Sequence, residues 1–203
     1  MQVEHVTESA DVFTANAYLV PGDVTTLVDV GSWEGVLGVV LDAVDTVDRV
    51  VLTHQHADHV ATMDDIVDEF QPEVYAYADH EHRTDELRDG DTVQIGDDDY
   101  DVVHTPGHAD DHVSFVSDDS GALFSGDVVV YEDDAFSGGS FGRTDMAGQS
   151  RDVEIRSIQR LLDRMPDGID ALYSGHGPVF EGDVQKIVET ALARAERHEP
   201  KYD

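Results

Sequence analysis

The segment H-Q-H-A-D-H over residues 54–59 places four potential metal ligands within six positions. It directly follows the apolar run of residues 49–53, where a strand is expected to end. His54 and His56 alternate along an extended stretch and can project to the same side, whereas the carboxylate and the last imidazole lie one turn further on, where an amphipathic helix begins, and can face a second ion. Imidazole and carboxylate groups suit zinc, iron and manganese. The spacing therefore predicts a metal centre.

Three further turns each carry one more residue of a metal-binding type. T-P-G-H ends at His108, S-G-D ends at Asp127, and G-H-G-P contains His176, and each turn follows a short apolar run. A His or Asp beside Gly is ordinary turn chemistry when it occurs alone. Ligands on loops at strand ends, however, are how a rigid sheet holds a site open to substrate. Together with the first segment, these turns predict a two-metal site.

This ordered pattern, H-x-H-x-D-H and then a lone His, a lone Asp and a final His, resembles that of the metallo-beta-lactamase superfamily over nearly the whole chain. Residues 16–20 and 27–31 are similar to the opening strands of that family, and the stretches G-R-T-D and G-H-G-P are most similar to the short glyoxalase II-like hydrolases. The resemblance implies three ligands for a first ion: His54, His56 and His108. It implies three for a second ion, Asp58, His59 and His176, with Asp127 bridging the two.

The elements that must position these ligands alternate between strands and helices. Apolar runs predict strands over residues 12–20, 25–30, 49–53, 73–78, 92–95, 100–104, 113–116, 122–125 and 171–174. Apolar residues at helical spacing predict helices over residues 36–44, 59–70, 151–165 and 182–198. Strands and helices interleave in both halves, which favours two packed sheets with helices outside. The resemblance implies an α/β fold of this kind, the four-layer αβ/βα sandwich, and the even composition indicates one domain over residues 1–203.

Acidic residues dominate the charge balance, with 45 Asp and Glu against 12 Lys and Arg and a net charge of −33. They are spread along the chain in short clusters rather than gathered in a tail, and such a field repels itself at low salt. At about 1 M salt the Debye length falls to roughly 3 Å and this repulsion is largely screened. The composition is typical of a halophile's cytoplasmic protein, and it leaves too few basic residues for a nucleic-acid surface.

Several other classes of protein and of chemistry are disfavoured by what the sequence lacks. It has no cysteine, which excludes disulfides and thiolate chemistry, and no G-x-S-x-G nucleophile motif. The first residues are acidic rather than basic and apolar, and no apolar run approaches the roughly 20 residues that span a bilayer. We therefore expect a cytoplasmic protein that binds neither membranes nor nucleic acids. The sequence indicates no particular oligomeric state.

The predicted centre indicates hydrolysis. Two divalent ions, most commonly zinc with iron or manganese as alternatives, would ionise a bound water near pH 7 and polarise a carbonyl. We expect direct hydrolysis by this metal-bound hydroxide, with Asp58 orienting it or passing a proton to the leaving group, and the resemblance implies that the substrate is a small acyl thiol. The family resemblance implies a glyoxalase II-type thioesterase acting on S-acyl thiols such as S-lactoyl thiols.

Two residues near the ligands have both a functional and an ordinary interpretation. His112 follows His108 by four positions and either supports a ligand or packs in the core. Arg143 follows Asp127 in a loop where related thiolesterases hold an anionic substrate, and it either contacts substrate or forms a surface ion pair. The sequence also departs from the family pattern, because Ala109 and Asp111 replace the usual Thr or Ser and Gly after the third ligand.

Other functions remain open at this level. A persulfide dioxygenase with a single iron uses the same fold, although such enzymes tend to have Cys where this chain has His112. A lactonase or other ester hydrolase, a nuclease and a beta-lactamase also occur in the superfamily. A non-catalytic binding protein on the same fold is disfavoured, because such proteins tend to lose ligands and the set here is complete.

Overall fold

A computed structural model describes residues 2–201. Within them, five helices occur: α1 Val36–Ala43, α2 Ala57–Val60, α3 Met63–Phe70, α4 Arg151–Arg164 and α5 Val184–Glu196. The first sheet has six strands in the order β1 Glu4–His5, β2 Tyr18–Val20, β3 Thr26–Val28, β4 Arg49–Val51, β5 Glu73–Ala76 and β6 Asp85–Glu86. The second has six in the order β14 Phe180–Glu181, β13 Ala171–Ser174, β10 Ala122–Gly126, β9 Val113–Ser117, β8 Asp98–His104 and β7 Thr92–Ile95. A two-stranded ribbon joins β11 Val129–Val130 to β12 Ser140–Phe141.

The two sheets pack face to face because their strands are apolar on both sides. Successive side chains of a strand point to opposite faces, so Val28 and Val51 point inward from the first sheet. There they meet Phe115 and Phe124 of the second sheet in a shared, fully buried core. Burial on both faces explains why these strands are continuous apolar runs rather than alternating ones.

Helices cover the outer face of each sheet. Leu27, next to Val28 in β3, packs on Val40 of α1 and Ile66 of α3. Leu123, next to Phe124 in β10, packs with helix residues on the second sheet, which include Ile158 and Leu161 of α4 and Val184, Ile187 and Val188 of α5. The layers therefore run helix, sheet, sheet, helix, which confirms the predicted αβ/βα sandwich.

Strand direction places the loops of the predicted site together. In the first sheet β3, β4 and β5 are parallel, so their carboxyl ends lie at one edge. In the second sheet β8 and β10 both run antiparallel to β9, and β13 runs parallel to β10, so these three strands also end at a common edge. Ligands that follow β4, β8, β10 and β13 are therefore brought to one end of the sandwich.

Most of the predicted elements match the structure to within two residues at each end, and two were wrong by more than that. The helix predicted over residues 59–70 is two helices, because Thr62 turns away between them and donates its hydroxyl to the Val30 carbonyl oxygen at 2.6 Å. The strand predicted over residues 12–20 is regular only in β2. The preceding residues follow an irregular path, held by bonds from the backbone nitrogens of Ala15 and Asn16 to the carbonyl oxygens of Asp58 and Gly175.

No helix within residues 2–201 combines the length and the apolar character that crossing a bilayer demands.

Candidate metal centre

Three imidazoles from two loops converge at the edge of the sandwich. His54 and His56 follow β4 and His108 follows β8. The Nδ1 atom of His56 lies 3.1 Å from His54 Nε2 and 2.9 Å from His108 Nε2. Nitrogen atoms that face one another this closely need a shared proton or a cation between them.

A second group of side chains adjoins these imidazoles. His59 Nε2 lies 3.4 Å from Asp127 Oδ1, and His176 Nε2 lies 3.2 Å from Asp58 Oδ2. The other oxygen of Asp127 lies 3.3 Å from His108 Nε2 and 3.5 Å from His176 Nε2. One carboxylate of Asp127 therefore faces both groups, which is the placement that a bridging ligand requires.

The distances fit metal coordination. In a tetrahedral zinc site with bonds of about 2.0–2.1 Å, neighbouring ligand atoms lie roughly 3.3 Å apart. The contacts within the two groups span 2.9 to 3.5 Å. Two of the buried atoms, His59 Nε2 and Asp127 Oδ1, also have no hydrogen-bond partner within residues 2–201, although buried polar atoms nearly always have one. The structure thus brings all seven predicted ligands together, and their binding of metal stays a prediction.

Electrostatics at the centre favour bound cations. Burial opposes the charged form of Asp127, but the His176 and His59 imidazoles outweigh burial and hold the pKa of this carboxyl well below its usual range. Burial alone would lower the pKa of His176, but the neighbouring carboxylates raise the pKa of His176 to about 9. Burial lowers the pKa of His54 and of His108, which leaves these imidazoles neutral and ready to ligate. Without a metal ion, His176 is therefore protonated beside the carboxylates, and metal binding would displace this proton.

Hydrogen bonds behind the imidazoles set which nitrogen faces the centre. Asp29 Oδ2 accepts from His59 Nδ1 at 2.8 Å and from the Thr53 hydroxyl at 2.7 Å. Because the Thr53 hydroxyl proton is used in this way, its oxygen accepts from His54 Nδ1 at 3.1 Å. His108 Nδ1 donates to the Arg143 carbonyl oxygen at 2.9 Å. Each of these three rings is thereby left with Nε2 for the centre, which is how outer partners usually orient ligating histidines.

Asp29 was not predicted from the sequence as a residue of the site. It has a left-handed backbone with φ of 56° and is only 2% exposed. Its carboxylate also accepts a bond from the Thr53 backbone nitrogen at 2.8 Å, so it joins β3 to the loop that carries the first ligands. The available signal was an Asp directly after the apolar strand and two positions before Gly31.

His112 and Arg143 take different places. His112 is fully buried, and its Nε2 accepts a bond from the Asp127 backbone nitrogen at 3.0 Å while Nδ1 donates to the Thr105 hydroxyl at 2.8 Å. It therefore fixes the backbone of the predicted bridging residue. Arg143 lines the cavity over the centre and pairs with Asp145.

The departures from the family pattern are accommodated. Asp111 accepts a bond from the Gln55 backbone nitrogen at 3.1 Å and so ties the third-ligand loop to the first segment.

Gly175 lets Asp127 and His59 approach the backbone after β13 closely. A Cβ on Gly175 would collide with Asp127 Oδ1 and lie 2.8 Å from His59 Cε1.

A buried acid lies behind the loops of the centre. Glu154 of α4 is fully buried and neither carboxyl oxygen has a hydrogen-bond partner within residues 2–201. It packs against Gly107 and Gly142, where any Cβ would touch it. Burial raises the pKa of Glu154 well above its usual range, so this carboxyl keeps its proton at higher pH than an exposed Glu.

The centre forms the floor of an open cavity of about 770 Å³. Side chains of five predicted ligands reach its surface, namely His56, Asp58, His108, Asp127 and His176. The walls come from residues 130–134, residues 142–149 and Phe13. A small organic substrate fits a cavity of this size, which lies within the range of about 300–1,000 Å³ typical of ligand sites.

Comparisons with known proteins agree with this geometry. A family model described as the metallo-beta-lactamase superfamily matches residues 10–176. The hydroxyacylglutathione hydrolase of Francisella philomiragia is 41% identical over 86 residues, covering 40% of this chain and 34% of that protein. The atrochrysone carboxyl ACP thioesterase of Claviceps purpurea is 28% identical over 159 residues, covering 74% of this chain and 44% of that protein. The chain thus spans less than half the length of these two relatives.

Among solved structures, ETHE1 from Myxococcus xanthus superposes with a TM-score of 0.74 over 100% of this chain and 93% of that chain, at 23% identity. At this identity the likeness concerns the fold.

Proposed function

The chain belongs to the metallo-beta-lactamase superfamily, and we propose that within it the protein is a glyoxalase II-type thioesterase that hydrolyses S-acyl thiols such as S-lactoyl thiols. The reaction adds water across the C–S bond and yields a carboxylate, a proton and a free thiol. The observation that carries this proposal is the meeting of seven ligand-type side chains, five of which line the floor of a cavity sized for a small acyl thiol. Similarity to a hydroxyacylglutathione hydrolase and to an ACP thioesterase supports thioester chemistry.

Two zinc ions are the proposed cofactors, with iron or manganese as alternatives. One would be held by His54, His56 and His108, and the other by Asp58, His59 and His176, with Asp127 between them. When bound, such ions lower the pKa of water and polarise the carbonyl of the substrate.

The chain's own groups position the reactants and move the proton. Burial opposes the ionisation of Asp58, but the hydrogen bond to His176 outweighs burial and lowers the pKa of Asp58. Asp58 is therefore a carboxylate at neutral pH. Asp58 lines the cavity, so its oxygens can accept the proton of the attacking water and return it to the departing thiolate. His108 and His176 line the same floor, where they would limit the positions open to the acyl carbonyl.

The test is thiol release from S-D-lactoylglutathione by protein of measured metal content. We expect hydrolysis that chelation abolishes and that Asp127→Asn reduces by at least about a hundredfold, because its carboxylate faces both ligand groups. Asp119→Asn, an exposed change in the β9–β10 turn, is the matched control and should keep full activity. Fully metallated protein that hydrolyses no thioester, lactone or beta-lactam contradicts the proposal.

The same preparation separates the alternative chemistry. A persulfide dioxygenase would contain one iron and consume oxygen with a thiol persulfide, whereas the thioesterase releases thiol without oxygen uptake. Elemental analysis combined with an oxygen electrode therefore decides between them.

A further inference from the structure

Both basic side chains that line the cavity already have carboxylate partners. Arg143 makes a two-pronged pair with Asp145, with Nε 2.6 Å from Oδ1 and Nη2 3.0 Å from Oδ2. Lys201 Nζ lies 2.7 Å from Asp133 Oδ2, and these two side chains are only 3% and 11% exposed. The positive charge of each is therefore compensated within the chain before any ligand arrives.

The wall above the metal floor carries two further carboxylates, Glu132 and Asp134. Neither forms an ion pair with another residue in the range 2–201. The outer cavity thus has an excess of negative charge, and a ligand carboxylate placed beside it would be repelled. Glu132 is half-buried and Asp134 is exposed, and salt screens repulsion from the half-buried carboxylate less than repulsion between exposed charges.

Two large apolar side chains stand at the cavity mouth. Phe13 is 78% exposed and Met146 is 56% exposed, and they are two of four large hydrophobic side chains exposed among residues 2–201. The Phe13 ring stacks on the imidazole of His176, with centroids 5.4 Å apart and an interplanar angle of 20°. This contact fixes an apolar surface beside the floor, which an apolar part of a ligand would cover favourably.

The candidate metal ligands place the reacting end of a substrate at the floor of the cavity. Asp127 is 6% exposed and lines the cavity, and its Oδ1 has no hydrogen-bond partner in the described part of the chain. The reacting end of a substrate therefore belongs at the floor, and the remainder must extend between the acidic wall and the two apolar side chains.

We propose, on the premise that the protein is a thioesterase, that its thiol carrier has no net negative charge and presents an apolar segment. The acyl group faces the floor, and the apolar segment of the carrier lies against Phe13 and Met146. Glu132 and Asp134 repel carboxylates and favour amide or amino groups. An anionic peptide thiol is accordingly the poorer carrier.

The test compares S-D-lactoylglutathione with the same thioester whose two carboxylates are converted to carboxamides. Acyl group, thiol and length are unchanged, so only charge differs. We expect kcat/KM to be at least about tenfold higher for the diamide, because like charges across a binding surface oppose association. Equal values, or a preference for the anionic thioester, overturn the proposal.

A variant pair locates the effect. Glu132→Gln with Asp134→Asn should reduce the preference to about threefold or less, since it removes the two wall charges. Asp118→Asn with Asp119→Asn makes the same change of charge in an exposed turn remote from the cavity and should keep the preference. A preference that is identical in both double variants overturns the role of the wall.

Binding of thioethers, which cannot be hydrolysed, separates this inference from the proposed function. By calorimetry, the diamide of S-hexylglutathione should bind at least about tenfold more tightly than S-hexylglutathione. Lengthening one carboxamide of the carrier to a hexylamide should tighten binding further, and Phe13→Ala should remove that gain. If this preference is found while no thioester is cleaved, the proposed function fails and the charge inference holds. If thioesters are cleaved with a preference for the anionic carrier, the inference fails and the proposed function holds.

Discussion

Replacing Asp29 by Asn tests whether the second group of ligands depends on the carboxylate behind His59. Asn has nearly the same size and tolerates a left-handed backbone, so at φ of 56° the change removes charge without adding strain. In the native chain the carboxylate holds the His59 proton on Nδ1 at 2.8 Å, which leaves Nε2 for the centre. It also accepts two bonds from Thr53, one from the backbone and one from the hydroxyl.

The size of the effect follows from these three bonds. An amide has one acceptor oxygen, and if that oxygen keeps the bond from the Thr53 backbone, the amide NH2 group faces His59. This arrangement favours the His59 tautomer with its proton on Nε2, the atom that faces the centre. Loss of an outer carboxylate partner costs about 10–100-fold in metal affinity. That range corresponds to about 1.4–2.8 kcal/mol, close to the roughly 1.5–3 kcal/mol of a charge-assisted hydrogen bond.

The assay is titration of metal-free protein with zinc in chelator buffers, with bound metal measured by elemental analysis. We expect the second ion to bind about 10–100-fold more weakly in Asp29→Asn, while the first ion, held by the other imidazoles, changes much less. Asp48→Asn is the matched control, since its carboxylate accepts one backbone bond from Thr25 at 2.9 Å and does not line the cavity. Two ions bound by Asp29→Asn with native affinity would refute the reasoning.

Three further outcomes are expected. Gly175→Ala should lower the metal content measured after dialysis, because the added Cβ would collide with Asp127. Gly38→Ala in α1 is the control: its Cβ meets nothing within 4 Å, so this variant should bind metal normally and have a free energy of unfolding about 0.5–1 kcal/mol higher. Normal metal content in both variants contradicts this prediction. Because burial raises the pKa of Glu154, its contribution to stability is present below the unfolded pKa of about 4.3 and is lost as pH rises towards the folded pKa. Glu154→Gln should therefore raise the Tm at pH 8 but not at pH 4, whereas Glu69→Gln on the surface of α3 should not show this difference. An equal response of the two variants would be inconsistent with this prediction. The Tm of the native protein should rise from low to multimolar potassium chloride, since salt screens its net charge of −33, and an unchanged Tm would argue against this.

The first four candidate ligands could be named from the sequence because their signal is local. Residues 54–59 combine metal-binding side chains with a spacing that an extended segment and a helix start can use, and the fold follows from apolar runs of the correct period. Phe13 was not predictable as a cavity residue, since the apolar pattern around it is that of a strand. Its irregular path is imposed by backbone bonds of the next residues to Asp58 and Gly175, which are distant in sequence.

Glu154 shows the same limit in a helix. Val153 and Ile155 belong to the apolar spacing that predicted α4, yet both are only partly buried and the carboxyl between them is fully buried. Close contact of Glu154 with Gly107 and Gly142 sets this face of the helix, and neither glycine lies near it in sequence. Periodicity identifies the element, whereas the partner loops decide which of its side chains are enclosed.

The acidic residues of this chain act in two different environments, and salt should separate them. Most lie on the surface, where their mutual repulsion is screened at high ionic strength. Asp29 and Asp127 are 2% and 6% exposed and are compensated by imidazoles a few ångströms away. Screening reaches such buried pairs only weakly. Salt should therefore govern whether the chain stays folded, while the affinity of the folded centre for metal should depend mainly on pH, through the protons that bound ions must displace from His59 and His176.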